Sequence, residues 1–428
     1  MTSTTPAIRV TPAASSPLPM VERAIGSYLY DVDGRDYLDA SSGVLNVNIG
    51  HRHPAVLAAV HAQLDRVAFV HRTQFGNRPA EVLTARLLEI APAGTAAVEY
   101  SNSGSEANEC ALRLAFAYHH RRGRPDRTVI LSEEPSYHGM TSGSLSITGM
   151  PSKRHPSMAP LIDRPDRILV RPRPGSIRAT RSDWAEAILR IGASRIAAIV
   201  IEPLGGASSG AAPMTADTLQ WLRRETEDED IVLVSDEVMS GFGRTGDWWA
   251  ASDAGIAADI TTSGKGVTGG YTSLAVTMVT DRIVRGIGEP LGPIALGHTM
   301  SANPLACAAA AAVLEVLIGE DLPGAARRRG AELAQALSRI VERHPTVFSG
   351  HTGRGLMRGL HLAAQAPAGT NRRIVAEARD AGLVLCPAGI SATAQAILVA
   401  PPLTVERCEI DVLENRFEAA LRNIGLSE

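Results

Sequence analysis

One side chain in this sequence is equipped for covalent chemistry in a way the others are not. Of 42 lysines and arginines, only Lys153 and Lys265 are lysines. Arginine stays protonated and is a poor nucleophile, whereas a lysine amine can shed its proton and condense with an aldehyde. Lys265 stands in Ser-Gly-Lys-Gly, where the flanking glycines leave its backbone approachable. Composition alone would make it a remnant of an arginine-rich chain; its neighbours decide otherwise. Upstream, Ile231 to Val234 reads as a fully buried strand, and the apolar run breaks at Ser235-Asp236-Glu237. A carboxylate therefore sits at a strand's carboxyl end, where open α/β sheets bind their ligands.

Other polar residues recur in the same kind of place. Val98-Glu99-Tyr100 gives way to Ser101-Asn102-Ser103-Gly104-Ser105-Glu106 and then to a helical pattern over Ala107 to Tyr118. A strand, a small-residue turn and a helix start form a phosphate cradle, because the free N–H groups and the helix dipole favour an anion. Ser105 can add a hydroxyl to that cradle or serve as an ordinary helix cap. Ser136-Tyr137-His138-Gly139 follows the short strand Thr128 to Leu131, and a ring there can stack on a planar ligand or cover the core. The most hydrophobic strand, within Arg195 to Ile201, ends at Glu202-Pro203. Strands near residues 98, 129, 198, 232 and 259, separated by helices, predict an α/β fold with a mostly parallel sheet. Right-handed crossovers then bring all these strand ends to one edge.

The elements that must position that edge need room. At 428 residues the chain exceeds one compact core. The predicted layout is a disordered tail over 1–20, an N-terminal segment over 21–60 joining the small domain, a large domain over 61–318, and a small α+β domain over 319–428. Alternation around Asp33-Gly34 predicts a β-hairpin, and a strand pair is expected near Gly355 to His361 and Ala396 to Val399. The Pro- and Arg-rich region from Met150 to Ser182 reads as surface loop. A net charge of −3 and a pI near 6.5 offer no basic field for nucleic acid. No apolar run approaches the roughly 18 residues that span a membrane. Four scattered cysteines without C-x-x-C predict reduced thiols and a cytoplasmic setting. His51 and His53 lack a third ligand at recognisable spacing, so no metal is expected.

An amine, a carboxylate, a phosphate cradle and a stacking aromatic match the needs of pyridoxal 5′-phosphate. The amine condenses with its aldehyde, the carboxylate keeps the pyridine nitrogen protonated, and the helix start holds the phosphate. Rival motifs fail: Gly264-Lys265 lacks the glycine spacing and following Ser/Thr of a P-loop, and no G-x-S-x-G occurs.

Longer stretches carry a resemblance. GSYLYDVDGRDYLD, GHRHP, SNSGSEANECALRLA, YHGMTSGSLSITG, SDEVMSGFGRTG, SGKGVTGGY, GHTMSANPLACAAA and APPL resemble the class III aminotransferases of the fold-type-I pyridoxal-phosphate enzymes. That likeness runs from about Gly26 to Leu403. It implies a large parallel-sheet domain with a smaller α+β domain, and Lys265 as the Schiff-base lysine and proton carrier. It implies that Asp236 partners the pyridine nitrogen, that Ser103, Gly104 and Ser105 form the phosphate loop, and that Tyr137 and Val238 cover the two ring faces. His138 and Glu202 are expected at the same cofactor, and Thr299 is expected at the phosphate of a neighbouring subunit in a homodimer. The implied reaction has two halves, in which an amine donor gives its amino group and a carbonyl acceptor then takes it.

Two departures narrow the substrate. Members acting on α-amino acids usually carry an arginine before APPL; here Leu398 stands there. The segment after Glu202-Pro203 is Leu-Gly-Gly-Ala-Ser-Ser-Gly, without the usual glutamine. Both changes favour a terminal amine, polyamine or amino sugar over an amino acid, unless a loop arginine such as Arg72 or Arg154 substitutes. Decarboxylation, aminomutation or elimination on the same fold is the alternative chemistry. A non-catalytic binding protein would be expected to have lost Lys265 or Asp236.

Overall fold

The computed structural model describes residues 18–288, 296–391 and 394–425. Three sheets organise them. Strands β1 (Val21–Ile25), β2 (Tyr28–Asp31) and β3 (Asp36–Asp39) form an antiparallel N-terminal meander. The expected hairpin is β2–β3; Gly34 takes φ +82° in its turn, and Asp31 Oδ1 accepts from the N–H groups of Asp33 and Arg35.

The central sheet contains β4 (Thr95–Ser101), β5 (Val129–Glu133), β6 (Arg167–Val170), β7 (Ile196–Ile201), β8 (Val232–Asp236), β9 (Ile260–Ser263) and β10 (Ala275–Thr280). Their spatial order is β4-β10-β9-β8-β7-β5-β6. β5 through β9 pair in parallel, whereas β10 runs antiparallel to both β4 and β9. Two reversals cancel, so β4 points the same way as β9. Ser101, Glu133, Ile201, Asp236 and Ser263 therefore end on one edge, as the strand and helix alternation predicts. Every residue of β5, β7, β8 and β9 is buried, which accounts for the apolar runs that open β5 and β8 and fill β7 in place of alternation.

One sequence expectation is overturned. The region from Met150 to Ser182 contains β6, the helix Ala159–Ile162 and two short 3-10 turns, and the helix Arg181–Ile191 starts at its end. β6 is four residues long, between arginines, and mostly half-buried. Its own pattern is too short to show a period. It is a strand because the outer edge of β5 offers unpaired backbone groups, and Ile130 pairs with Arg167 there.

The third sheet holds β11 (Phe348–Arg354), β12 (Met357–Leu362), β14 (Cys386–Gly389) and β15 (Gln395–Val399) in the order β11-β12-β15-β14. The predicted pairing of β12 with β15 is present, with Arg358 opposite Val399. The short strand β13 (Leu383–Val384) leaves this group and pairs in parallel with β3, joining the end of the chain to its beginning. A single apolar cluster runs from Leu38 through the alanine-rich helix Pro304–Gly319 to Ile424.

Arg244 locks these parts together from within. It is fully buried, and its guanidinium donates to Asn48 Oδ1 at 2.6 Å, to Leu356 O at 3.3 Å and to Pro401 O. Burial pulls its pKa down to about 9, with the charge of Asp39 opposing. Replacing it by an apolar residue strands three buried acceptors. Arg244→Met is expected to lower unfolding free energy by about 3 kcal/mol, read by urea denaturation monitored through tryptophan fluorescence.

Candidate active site

The sheet edge gathers the predicted residues around one cavity of about 260 Å³. Lys265, Asp236, Glu202, Tyr137, His138, Val238 and the Ser103-Gly104-Ser105 turn all line it. Thr299 does not; it is exposed in a turn before the helix Pro304–Gly319.

Lys265 begins a 3-10 turn, Lys265–Val267, directly after β9. Its φ of 44° lies in the left-handed region, which residues with a Cβ rarely enter and which clusters at functional positions. Burial lowers the pKa of its ammonium, against the opposing pull of Asp236 and Glu202. An amine so poised gives up its proton more readily than an exposed lysine.

Asp236 closes β8 and is held from three sides. Its Oδ2 accepts from Asn108 Nδ2 at 2.7 Å and faces His138 Nδ1 at 2.8 Å, and its Oδ1 accepts from the Val238 N–H at 3.0 Å. Asn108 also donates to His138 O at 2.7 Å and accepts from the Thr262 hydroxyl at 2.8 Å, so strand, helix and loop converge on one carboxylate. Burial depresses the His138 imidazole, but the hydrogen bond and charge of Asp236 prevail and raise its pKa. The other ring nitrogen, Nε2, is buried without a hydrogen-bond partner.

The helix Gly104–Arg121 starts three residues before the predicted pattern, and its cap is Ser103, not Ser105. Ser103 Oγ accepts from the Glu106 N–H at 3.3 Å, while Ser105 Oγ accepts from the Met140 N–H at 3.0 Å. The N–H groups of the first turn have no intrahelical partner and face an anion favourably. Gly104 is required for packing: a Cβ there would stand 2.7 Å from Val238 Cγ1. This close approach lets Val238 form one wall while Tyr137 lines another part of the cavity. An amine, a buried carboxylate, a helix N-terminus and an aromatic wall thus fit pyridoxal phosphate as a donor set.

Glu202, just past β7, is buried; its Oε2 accepts from the Tyr137 N–H at 3.3 Å and its Oε1 from the Gly206 N–H at 3.1 Å. Burial pushes its pKa up to about 7, with His138 lowering it and Asp236 raising it further. Beneath it lies a buried ion pair: Arg178 grips Glu133 through Nε at 3.0 Å and Nη2 at 2.6 Å and donates to Glu202 O at 2.8 Å.

The arginine question has a definite geometry. Leu398 is fully buried among Leu45, Leu204 and Ala388, with Met239 and Cys386 packed alongside. Arg72 pairs with Glu99 at 3.5 Å, and Arg154 is spent on the carbonyls of Leu145, Ser146 and Thr148 and on Asp163. No arginine lines the cavity among the described residues.

Sequence reasoning missed Asn46, Asn108, Thr262 and Thr268. Asn108 had a legible signal, a polar residue on the buried face of an otherwise apolar helix. Asn46 had none. It lies at the cavity because Ser42, Gly43, Val44 and Leu45 make a left-handed turn, with φ from 49° to 62°. Only one of the four is a glycine, so composition gave no warning.

Known proteins define the class. The chain superposes on an amine transaminase from an uncultivated Pseudomonas species, in its PLP-bound form, with a TM-score of 0.88 and 32% identity over 98% of this chain and 99% of that one. Among sequences, it is 33% identical to the uncharacterized aminotransferase YodT of Bacillus subtilis, covering 95% of this chain and 96% of that protein. It is 30% identical to the omega-aminotransferase of Caulobacter vibrioides, covering 95% and 94%. These relatives share a pyridoxal-phosphate transaminase scaffold. The aminotransferase class-III family model matches residues 10–421, and this chain belongs to that family, as a PLP-dependent enzyme that transfers amino groups.

Two measurements probe the packing and the charge. Gly104→Ala is expected to weaken cofactor retention about tenfold in a dialysis assay, and adding Val238→Ala to relieve the clash is expected to restore most of it. Glu202 ionises near the ordinary carboxylate value of 4.5 when unfolded and at about 7 when folded, so the folded state holds the extra proton in between. Stability of the apoprotein is therefore expected to fall as pH rises from 4.5 to 7, by more than in Glu202→Gln, as read by thermal unfolding across that window.

Proposed function

We propose that this enzyme moves an amino group from an amine without a carboxylate to an aldehyde or ketone, with Lys265 as its covalent anchor and proton carrier. The observation that supports this most is the cavity itself. It pairs a strained, partly desolvated lysine with a preassembled carboxylate and offers no arginine among the described residues.

Bound pyridoxal phosphate supplies an electron sink for the substrate carbon next to nitrogen. The protein's residues do the remainder. Lys265 would hold the cofactor through its amine, and when free that amine would take up and deliver the proton of the substrate carbon next to nitrogen. Asp236 would keep the pyridine nitrogen protonated, and Asn108, His138 and the Val238 N–H already orient it for that role. The Ser103-Gly104-Ser105 turn would receive the phosphate, while Tyr137 and Val238, which line the cavity, would cover the ring and exclude water. Leu398 and its apolar neighbours leave no bidentate partner for a substrate carboxylate.

The active unit in this reading is a homodimer in which exposed Thr299 reaches the cofactor phosphate of the second copy. The large domain over 61–318 holds the cofactor, and the segments 21–60 and 319–428 close over it. The setting is cytoplasmic, consistent with the free, buried thiols of Cys110 and Cys307.

Three variants test these roles. Lys265→Ala is expected to abolish turnover and to leave no cofactor attached to the chain after borohydride reduction, read by intact mass; retained turnover removes the lysine from the mechanism. Asp236→Asn is expected to cut kcat by at least about a hundredfold with a smaller loss of cofactor affinity. Thr299→Ala is expected to weaken cofactor retention in a dimer of unchanged sedimentation; a fully active monomer refutes the shared site.

A further inference from the structure

The strands that carry Tyr137 and Glu202 are not held to each other at the active edge by the sheet itself. Paired residues of β5 and β7 stop at Leu131 opposite Ile199, two residues short of the end of each strand. On either side the pairing continues, β5 with β6 as far as Glu133 and β7 with β8 as far as Ile201. The gap opens where the chain must set Tyr137, four residues beyond β5, against Glu202, the first residue beyond β7.

One side chain fills it. Arg178 is seated on Glu133, with Nε 3.0 Å from both carboxylate oxygens and Nη2 2.6 Å from Oε2. The same guanidinium donates from Nη2 to Glu202 O at 2.8 Å and from Nη1 to Ala212 O at 2.6 Å. Ala212 O also accepts from the Gly205 N–H at 3.0 Å, so the fork reaches the loop whose Gly206 N–H holds the Glu202 carboxyl. Gly205 leaves room for this approach, since a Cβ there would stand 2.8 Å from Nη1. Glu202 is therefore tied to the β5 side twice, by its carbonyl through Arg178 and by its carboxyl through the Tyr137 N–H.

Stability does not account for the pair. Among the described residues it is the one arginine–carboxylate ion pair with both side chains less than a tenth exposed. Desolvation of two buried charges offsets most of their attraction, so such a pair adds little net stability while imposing one geometry. A lysine could supply the cation, but its single nitrogen could not span acceptors in three segments of chain. Neither Arg178 nor Glu133 lines the cavity, so neither touches substrate or cofactor. The charge of Arg178 nevertheless reaches the site: burial raises the Glu202 pKa to about 7, and His138 and then Arg178 restrain that rise.

We infer that Arg178 and Glu133 are positioning residues for amino transfer: the arginine fork, braced on the buried glutamate, sets the spacing between the ends of β5 and β7 and so seats Tyr137 and Glu202 at the cofactor. This rests on the reading above that Tyr137 covers the cofactor ring.

The test compares holoenzymes by three readings. These are the single-turnover rate at which saturating pentylamine converts the cofactor to its amine form, the rate of cofactor loss on dialysis, and the visible circular dichroism of the bound cofactor, which reports how the ring is seated. Arg178→Lys keeps the cation and removes the fork. It is expected to slow the single turnover at least about tenfold, to speed cofactor loss about tenfold and to reduce the dichroism by about half. Glu133→Gln/Arg178→Met removes both buried charges. It is expected to unfold at a higher temperature than Glu133→Gln or Arg178→Met alone, because no charge is left unpaired, and yet to stay as slow as Arg178→Lys. A pair with a merely structural role predicts instead that rate and dichroism recover together with stability.

Parental rate and dichroism in the double variant overturn the inference, as does Arg178→Lys with all three readings unchanged. Where Arg178→Lys fails to fold, the double variant decides alone. Tyr137→Leu separates the underlying reading: it is expected to shift the dichroism in the same direction, and if dichroism and cofactor loss stay as in the parent, the placement of Tyr137 over the ring falls and the inference with it. A parent enzyme inert to pentylamine counts against the amine donor alone, and the other two readings then decide the role of the pair.

Discussion

The site depends on one carboxylate whose orientation is settled before any ligand arrives. Asp236 leaves the end of β8 into a space bounded by the helix Gly104–Arg121 on one side and by the His138 loop on the other. A buried acid is tolerated only where donors surround it, and here they come from three different segments of chain. The parallel sheet makes that convergence possible. It sets the ends of β4, β5, β7, β8 and β9 side by side, so that residues far apart in sequence become neighbours without any long loop. Electrostatic preorganisation of this kind is worth most in a dry site, and the residues around Asp236 are almost all buried.

Much of this was legible in the chain. Ile196–Ile201 and Val232–Asp236 announced themselves as apolar runs broken by acids, and Lys265 was conspicuous because only one other lysine competes with it. These signals are local, carried by residue type and by neighbours in sequence. What escaped was fixed by distant partners. β6 exists because β5 has an open edge, and four residues between arginines cannot reveal that. Asn46 reaches the cavity through a left-handed turn built mostly from residues that disfavour one. Ser105 looked like the helix cap, but the helix extends one turn further and takes Ser103 instead. The ion pair of Arg178 and Glu133 was invisible for a similar reason, since Arg178 lies in a stretch marked in sequence only by its arginines and prolines.

The acids along this edge are partnered unequally. Asp236 is satisfied by the protein, Glu133 is satisfied by Arg178, and Glu202 alone is left with capacity to spare. Leu398, fully buried in an apolar cluster, supplies no charge that could neutralise Glu202.

The reversed strand β10 has a mechanical consequence. Because it runs against its neighbours, it contributes its beginning to the active edge, and Ser273 and Leu274, just ahead of it, line the same cavity as Lys265. The peptide leaves the sheet at Ser263, carries Lys265, bends through Gly269 and Gly270 at φ +58° and +85°, and re-enters at Ala275. Anchor and cavity wall are thus two ends of one short hairpin-like arch, pinned at both feet by hydrogen-bonded strands. An inserted residue in that arch would leave β9 and β10 paired but would move Lys265 relative to Ser273 and Leu274, so the length of this connection sets the shape of the cavity.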